Sequence, residues 1–134
     1  MNGNNGYAGN DITPEILKYS SLCTDNCRIE PQLYIEHKVN RGLRDLNGKG
    51  VLTGLTEISE IVSKKIVNGE EAPCRGKLYY RGYDVERLVD GFINDNRFGF
   101  EEVVYLLLFG ELPTEDQLNE FNGVLSSYRR LPGS

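Results

Sequence analysis

The feature that most constrains this chain is the segment Phe100–Phe109, Phe-Glu-Glu-Val-Val-Tyr-Leu-Leu-Leu-Phe. Phe100, Val103, Val104, Leu107 and Leu108 recur at i, i+3, i+4, i+7 and i+8, the spacing of one helical face. Leu106 and Phe109 add apolar surface on the other sides, so the sequence predicts a helix buried nearly all round. Glu101 and Glu102 fall in its first turn, where the helix dipole favours carboxylates. Gly110 can take the left-handed conformation of a C-cap. A helix that is apolar on every side needs neighbours on every side. The chain has 134 residues, enough for one core and too few for two substantial ones. Either the chain self-associates or part of the surface that covers this helix lies in a longer polypeptide.

The elements available to cover it can be read from the punctuation. Thr13-Pro14-Glu15 reads as a helix start, with Thr13 as cap and Pro14 at the first helical position; this helix is expected to fade near Cys23. A short second helix is expected over 31–38. Residues 41–54 carry Gly42, Gly48, Gly50 and Gly54, which spell turns. Two strands are expected, over 58–67 and 77–83, because Ile58, Ile61, Val62, Ile66 and Val67 are β-branched. Asn68-Gly69 marks a turn after the first strand, with Pro73, Arg75 and Gly76 in a connecting loop. Tyr83-Asp84 opens a short helix capped by Asp84 and stopped at Gly91. Thr114 and Gln117 have capping-box spacing ahead of an apolar stripe of Leu118, Phe121, Val124, Leu125 and Tyr128. Gly123 inside that helix points to close packing there. Two strands alone make a marginal sheet, so the ribbon must lean on helices or on another subunit. The fold class is therefore mainly α with a small β-ribbon. Residues 1–10, rich in Asn and Gly, are expected to be disordered.

Several chemistries fit poorly. Fifteen basic against twenty acidic residues give a net charge of −5, which does not draw in a phosphate polymer, so no nucleic-acid partner is expected. The longest apolar run, 103–109, is far short of the roughly 20 residues that span a bilayer. The N-terminus has neither a basic nor an apolar leader region, so a cytoplasmic protein is expected. Cys23, Cys27 and Cys74 are an odd count suited to a reducing compartment. With His37 as the single histidine, a four-ligand zinc site is not expected, and neither is a nucleophile–histidine pair. A phosphate loop fails on spacing. Gly42 and Gly48 have five residues between them rather than four, and Gly50 rather than Ser or Thr follows Lys49.

One resemblance is specific. The segments Gly76-Lys77-Leu78-Tyr79-Tyr80-Arg81-Gly82-Tyr83-Asp84-Val85, then Phe100 through Thr114, then Arg130-Leu131-Pro132 resemble, in order, the N-terminal region of citrate synthases. Gly42-Leu43-Arg44-Asp45 and Thr56-Glu57-Ile58-Ser59 resemble that family's opening segment. The resemblance covers about residues 41–134, leaving 1–40 as an N-terminal extension, partly disordered and then helical. It implies the N-terminal part of a large helical domain, truncated, in a dimeric enzyme. Such an enzyme condenses acetyl-CoA with oxaloacetate to citrate and CoA, a step of the tricarboxylic acid cycle. A close relative would be a 2-methylcitrate synthase acting on propionyl-CoA, and a helical interaction module that is not an enzyme is the reading from another class.

In the family an Asp takes the α-proton of acetyl-CoA, one His stabilises the enol and a second polarises the oxaloacetate carbonyl. The resemblance places all three beyond Ser134. No catalytic, cofactor-binding or metal-binding residue is therefore expected within the chain, and no cofactor, since acetyl-CoA is a substrate. His37 matches neither histidine motif. Arg81 is the most tempting contact for a ligand, but it reads better as a residue that pins the ribbon to the next helix.

Overall fold

The computed structural model describes residues 12–40, 42–44, 48 and 50–129. Among these the elements are α1 (Pro14–Asn26), α2 (Pro31–Glu36), β1 (Ser59–Val67), β2 (Glu70–Tyr80), β3 (Tyr83–Asp84), α3 (Val85–Asn94), α4 (Phe100–Phe109) and α5 (Glu115–Tyr128). They form two compact units. One contains α1, α4 and α5; the other contains α2, the sheet and α3. The expectation of disorder at 1–10 lies outside the described residues.

The first unit is held by aromatic rings. The Tyr19 and Phe109 rings stack with centroids 5.3 Å apart, and Tyr105 meets Phe109 edge-on at 4.6 Å. Phe121 stands edge-on to Tyr19, Tyr105 and Phe109 at 5.5–5.8 Å. Such offset and T-shaped geometries place ring edges against ring faces, each worth roughly 0.5–1.5 kcal/mol beyond area burial. Thr13 caps α1, its hydroxyl accepting from Ile16 N–H at 3.4 Å. The helix runs three residues past its expected end at Cys23. There Thr24 Oγ1 donates to the Ser20 carbonyl and Asn26 Nδ2 to the Leu22 carbonyl, each bonding back to the carbonyl four residues earlier. In α4, Gly110 takes φ 87° at the C-cap. In α5 the capping box is complete: Thr114 Oγ1 accepts from Gln117 N–H at 3.3 Å, and Gln117 Oε1 accepts from Thr114 N–H at 2.8 Å.

The orientation of α4 departs from the periodic reading. Its buried residues are Glu102, Tyr105, Leu106 and Phe109, while Phe100 is 72% and Leu108 43% exposed. The helix is therefore not buried all round. Counting apolar residues put the core on the Phe100–Val104–Leu108 side. The rings of Tyr19 and Phe121 instead draw Tyr105 and Phe109 inward, because an aromatic face buries more area than an aliphatic stripe. Gly123 also departs from expectation: it is exposed, and a Cβ there would meet nothing within 4 Å. Close packing is not its role.

In the second unit, β1, β2 and β3 form an antiparallel sheet in the order β1-β2-β3. Asn68 (φ 54°) and Gly69 (φ 85°) join β1 to β2, with Val67 opposite Glu70. Positive φ at both turn residues is the type I′ geometry that matches strand twist. The segment read as a connecting loop belongs to β2, which starts at Glu70 rather than Lys77. Pro73 is tolerated in it for a geometric reason. Pairs alternate between hydrogen-bonded and non-bonded along an antiparallel ladder. Counting from the turn, Lys64↔Pro73 is a non-bonded pair, so the missing N–H faces away from β1. The register then shifts between Val62 and Lys64, leaving Cys74, Arg75 and Gly76 opposite Ser63 alone, an irregularity of the β-bulge kind.

A second type I′ turn, Arg81 (φ 48°) and Gly82 (φ 84°), places Tyr80 opposite Tyr83. Tyr83-Asp84 is thus a strand rather than the start of a helix. Asp84 still caps α3, accepting from Glu86 N–H at 2.9 Å. Gly91 does not stop α3; its carbonyl accepts from Asp95 N–H at 3.1 Å and the helix closes there.

Candidate functional site

Arg81 lies where β2 turns into β3, and its side chain is 5% exposed. Its backbone N–H donates to the Ile58 carbonyl at 2.9 Å, fixing the turn against the segment that leads into β1. Its guanidinium stands 3.8 Å from the Glu57 carboxylate and donates to Cys27 Sγ at 3.1 Å. The cavity beside it, lined by Cys27, Ile29, Leu55, Thr56 and Ile58 among others, holds about 210 Å³. That is below the roughly 300 Å³ at which small-molecule sites begin. Arg81 thus ties the turn to two upstream stretches of chain, at Cys27 and at 57–58, where its place in the ribbon had suggested a pin to the following helix.

The second polar cluster was not legible beforehand. Lys77 Nζ bridges Asp84 at 2.9 Å and Glu86 at 2.7 Å, and Arg75 reaches the other Glu86 oxygen at 2.7 Å. Lys77 on β2 meets the two acids only because the Arg81-Gly82 turn folds β3 back beside it. The hydrogen bond from Lys77 holds Asp84 below the usual carboxylate range. The same lysine, with Arg75, does so for Glu86. Glu86 first and Asp84 second push the Lys77 ammonium up. A lysine held in its charged form by two carboxylates is a poor proton acceptor, so this cluster braces the hairpin against α3.

The remaining candidates are scattered. Cys23 packs against the Tyr105–Phe109–Phe121 core in the first unit. Cys27 is exposed and Cys74 half-buried in the second, and none of the three is disulfide-bonded. His37 is an exposed C-cap of α2, its N–H donating to the Leu33 carbonyl at 2.9 Å. Among the described residues, no three His, Cys, Asp or Glu side chains group closely enough to hold a metal ion. The glycine-rich stretch folds on itself. Arg44 pairs with Gly50, Arg44 Nη1 donates to the Gly48 carbonyl at 2.8 Å, and Asn40 N–H donates to the Leu52 carbonyl at 2.7 Å. Its next element is a strand, so the strand–loop–helix setting of a phosphate loop is missing there. Lys49 lies outside the described residues. No helix among the described residues is long and apolar enough to cross a membrane.

Comparison with known proteins gives these elements a context. Residues 43–134 match the family described as citrate synthase, C-terminal domain. The chain is 41% identical over 96 residues to 2-methylcitrate synthase 1 of Corynebacterium glutamicum, covering 72% of this chain and 20% of that protein. It is 35% identical over 75 residues to the citrate synthase of Saccharolobus solfataricus, covering 56% and 17%. A citrate synthase of Corynebacterium glutamicum is 49% identical over 56 residues, 42% of this chain and 11% of that protein. The chain thus spans about a fifth or less of the length of these relatives. No solved structure matches it significantly. With the match running through both type I′ hairpins, the Asp84 cap, the α4 C-cap and the α5 capping box, the chain belongs to the citrate synthase family.

Proposed function

We infer that the chain is the N-terminal, architectural part of a cytoplasmic, homo-oligomeric enzyme that condenses an acyl-CoA with oxaloacetate. The observation that carries this reading is chemical. The matched segment, 43–134, contains no histidine, and the one histidine of the chain, His37, caps a six-residue helix outside it. A condensation that removes an α-proton and stabilises an oxyanion leans on such groups. The polar residues that are present brace turns instead: Arg81 pins the β2–β3 turn, and Lys77 joins Asp84 to Glu86. N-terminal placement is supported by the order of the segments, ribbon first, then Phe100–Phe109, then the Gly-Glu-Leu-Pro-Thr turn.

Both citrate synthases and 2-methylcitrate synthases are among the relatives, so acetyl-CoA and propionyl-CoA are both candidate acyl donors. The test is a thiol-release assay. The purified 134-residue chain should free no CoA above background from either thioester plus oxaloacetate. Turnover by the chain alone would sink the architectural reading. Sequencing the gene beyond Ser134 tests the placement: two histidine motifs followed by an aspartate motif are expected.

A further inference from the structure

Two Asn-Gly pairs lie wholly among the described residues, Asn68-Gly69 and Asn122-Gly123. Such a pair can react with itself, because glycine has no side chain to shield its nitrogen from the preceding amide. The fold gives the two pairs opposite settings. Asn68 and Gly69 are exposed at the tip of the β1–β2 hairpin, and a Cβ on Gly69 would meet nothing within 4 Å. The Gly69 N–H stands outside the ladder, which closes at Val67↔Glu70. Asn122 and Gly123 lie inside α5, where the Gly123 N–H belongs to the helical hydrogen-bond ladder. The Asn122 Oδ1 is buried. We propose that Asn68 is a site of covalent self-modification, converting to isoaspartate and opening the hairpin tip, while α5 protects Asn122. The proposal is independent of the catalytic reading.

The co-reactant is water. The Gly69 nitrogen gives up its proton and attacks Asn68 Cγ. A C–N bond forms, the Cγ–Nδ2 bond breaks, and ammonia leaves with the proton. Water then opens the five-membered imide. Cleavage between the nitrogen and Cγ gives aspartate. Cleavage between the nitrogen and the main-chain carbonyl gives isoaspartate, with the chain running through Cβ. The type I′ turn restrains the first step. Positive φ at both residues, 54° and 85°, holds the Gly69 nitrogen turned away from the Asn68 side chain. Ring closure therefore waits for the turn to open.

Opening at this tip is local. The pairs from Lys64↔Pro73 to Val67↔Glu70 lie beyond the register shift at Val62/Lys64, and every β1 residue in them is exposed. The Lys64–Glu71 ion pair that spans them, at 2.9 Å, is exposed on both sides and holds weakly. Exposed tips open at the lowest free energies in a structure. The two products then act differently. Aspartate keeps the turn, since Asp-Gly suits type I′ as Asn-Gly does. Isoaspartate lengthens the main chain by one carbon, so the turn no longer sets Val67 opposite Glu70. The base of the hairpin stays, because the Arg81 N–H bond to the Ile58 carbonyl and the Lys77 bridges lie on the far side of the register shift.

The purified chain is held in warm, mildly alkaline buffer beside a synthetic peptide of residues 64–73. Peptide-resolved mass spectrometry follows the exchange of amide for acid at each asparagine. Methyl transfer by an isoaspartate-specific carboxyl methyltransferase separates isoaspartate from aspartate. Asn68 should convert in the chain more slowly than in the peptide, yet about tenfold or more faster than Asn122, whose reaction needs α5 to open. Isoaspartate should be among the products. Hydrogen exchange at the tip, as at Lys65 and Ala72, should then quicken, while the Glu60↔Tyr79 pair keeps its rates. The Asn68→Asp variant should keep slow exchange at the tip. An Asn68 that stays intact while the peptide converts overturns the proposal. So do equal rates at Asn68 and Asn122, which would place the reaction in the unfolded chain. So does conversion to aspartate alone, or isoaspartate that leaves tip exchange unchanged. So does an Asn68→Asp variant whose tip exchanges as fast as that of the converted chain, since added charge rather than a longer main chain would then be the cause.

Discussion

Gly110 and Gly123 look equivalent in a sequence and have opposite standing in the fold. Gly110 sits at φ 87°, and a Cβ added to it would touch Asn26 Cβ at 3.5 Å, an ordinary contact. The cost of Gly110→Ala is therefore conformational, about 1–2 kcal/mol for placing an L-residue in the left-handed region. Gly123 lies in the interior of α5 facing open space. There Gly123→Ala removes only backbone entropy from the unfolded chain and should stabilise by about 0.5–1 kcal/mol. Urea unfolding of the two variants should give midpoint shifts of opposite sign. A destabilised Gly123→Ala would show that α5 packs against something in solution on that face. The sequence placed Gly110 correctly because a glycine directly after an apolar run has one common use. It misplaced Gly123 because a glycine inside a run has several.

At the scale of elements, turn chemistry was more legible than strand extent. Asn68-Gly69, the caps at Thr13, Asp84 and Thr114, and the ranges of β1, α4 and α5 follow from local rules that act within four residues. The start of β2 did not, because Pro73 and Gly76 read as a loop. Only the ladder register shows that Pro73 faces the free edge and that Gly76 sits in an irregularity. The Lys77–Asp84–Glu86 cluster was hidden for the same reason: residues seven and nine apart meet only if Arg81-Gly82 is a two-residue turn.

The cluster has a pH signature. Asp84 and Glu86 are held below their ordinary range. Their contribution to stability is present above about pH 4, the value in the unfolded chain, and is lost as pH falls through their lower folded values. Lys77 is raised, so its contribution is complete below about pH 10.4 and is lost as pH rises past its folded value. The pairs face solvent, so the amplitude is small, and carboxyl titration by NMR is the measurement that resolves it. Lys77→Met should bring both carboxyls back up towards ordinary values. Added salt should move Glu86, 54% exposed, more than Asp84, 16% exposed. Carboxyls that titrate identically with and without Lys77 would refute the bridge.

For the molecule as a whole, the nearly closed apolar side chains among the described residues are few: Leu88, Tyr105, Leu106, Phe109 and Phe121. Three of them form the aromatic cluster of the first unit, whereas Leu88 belongs to α3 in the second. The second unit owes its order to the β1–β2 ladder, two tight turns and the Lys77 bridges. Each unit therefore has its own source of stability, and the two are expected to open separately. Phe121→Ala removes the ring that contacts Tyr19, Tyr105 and Phe109, at a cost of about 3–5 kcal/mol. Native-state hydrogen exchange should then accelerate by about a hundredfold or more across α1, α4 and α5, since each 1.4 kcal/mol is a factor of ten. Amides that face across the β1–β2 ladder, such as those of the Glu60↔Tyr79 pair, should keep their rates. Equal acceleration in both units would mean a single cooperative core. In that case the aromatic cluster, rather than the turns and ion pairs of the ribbon, would be what holds the hairpin in place.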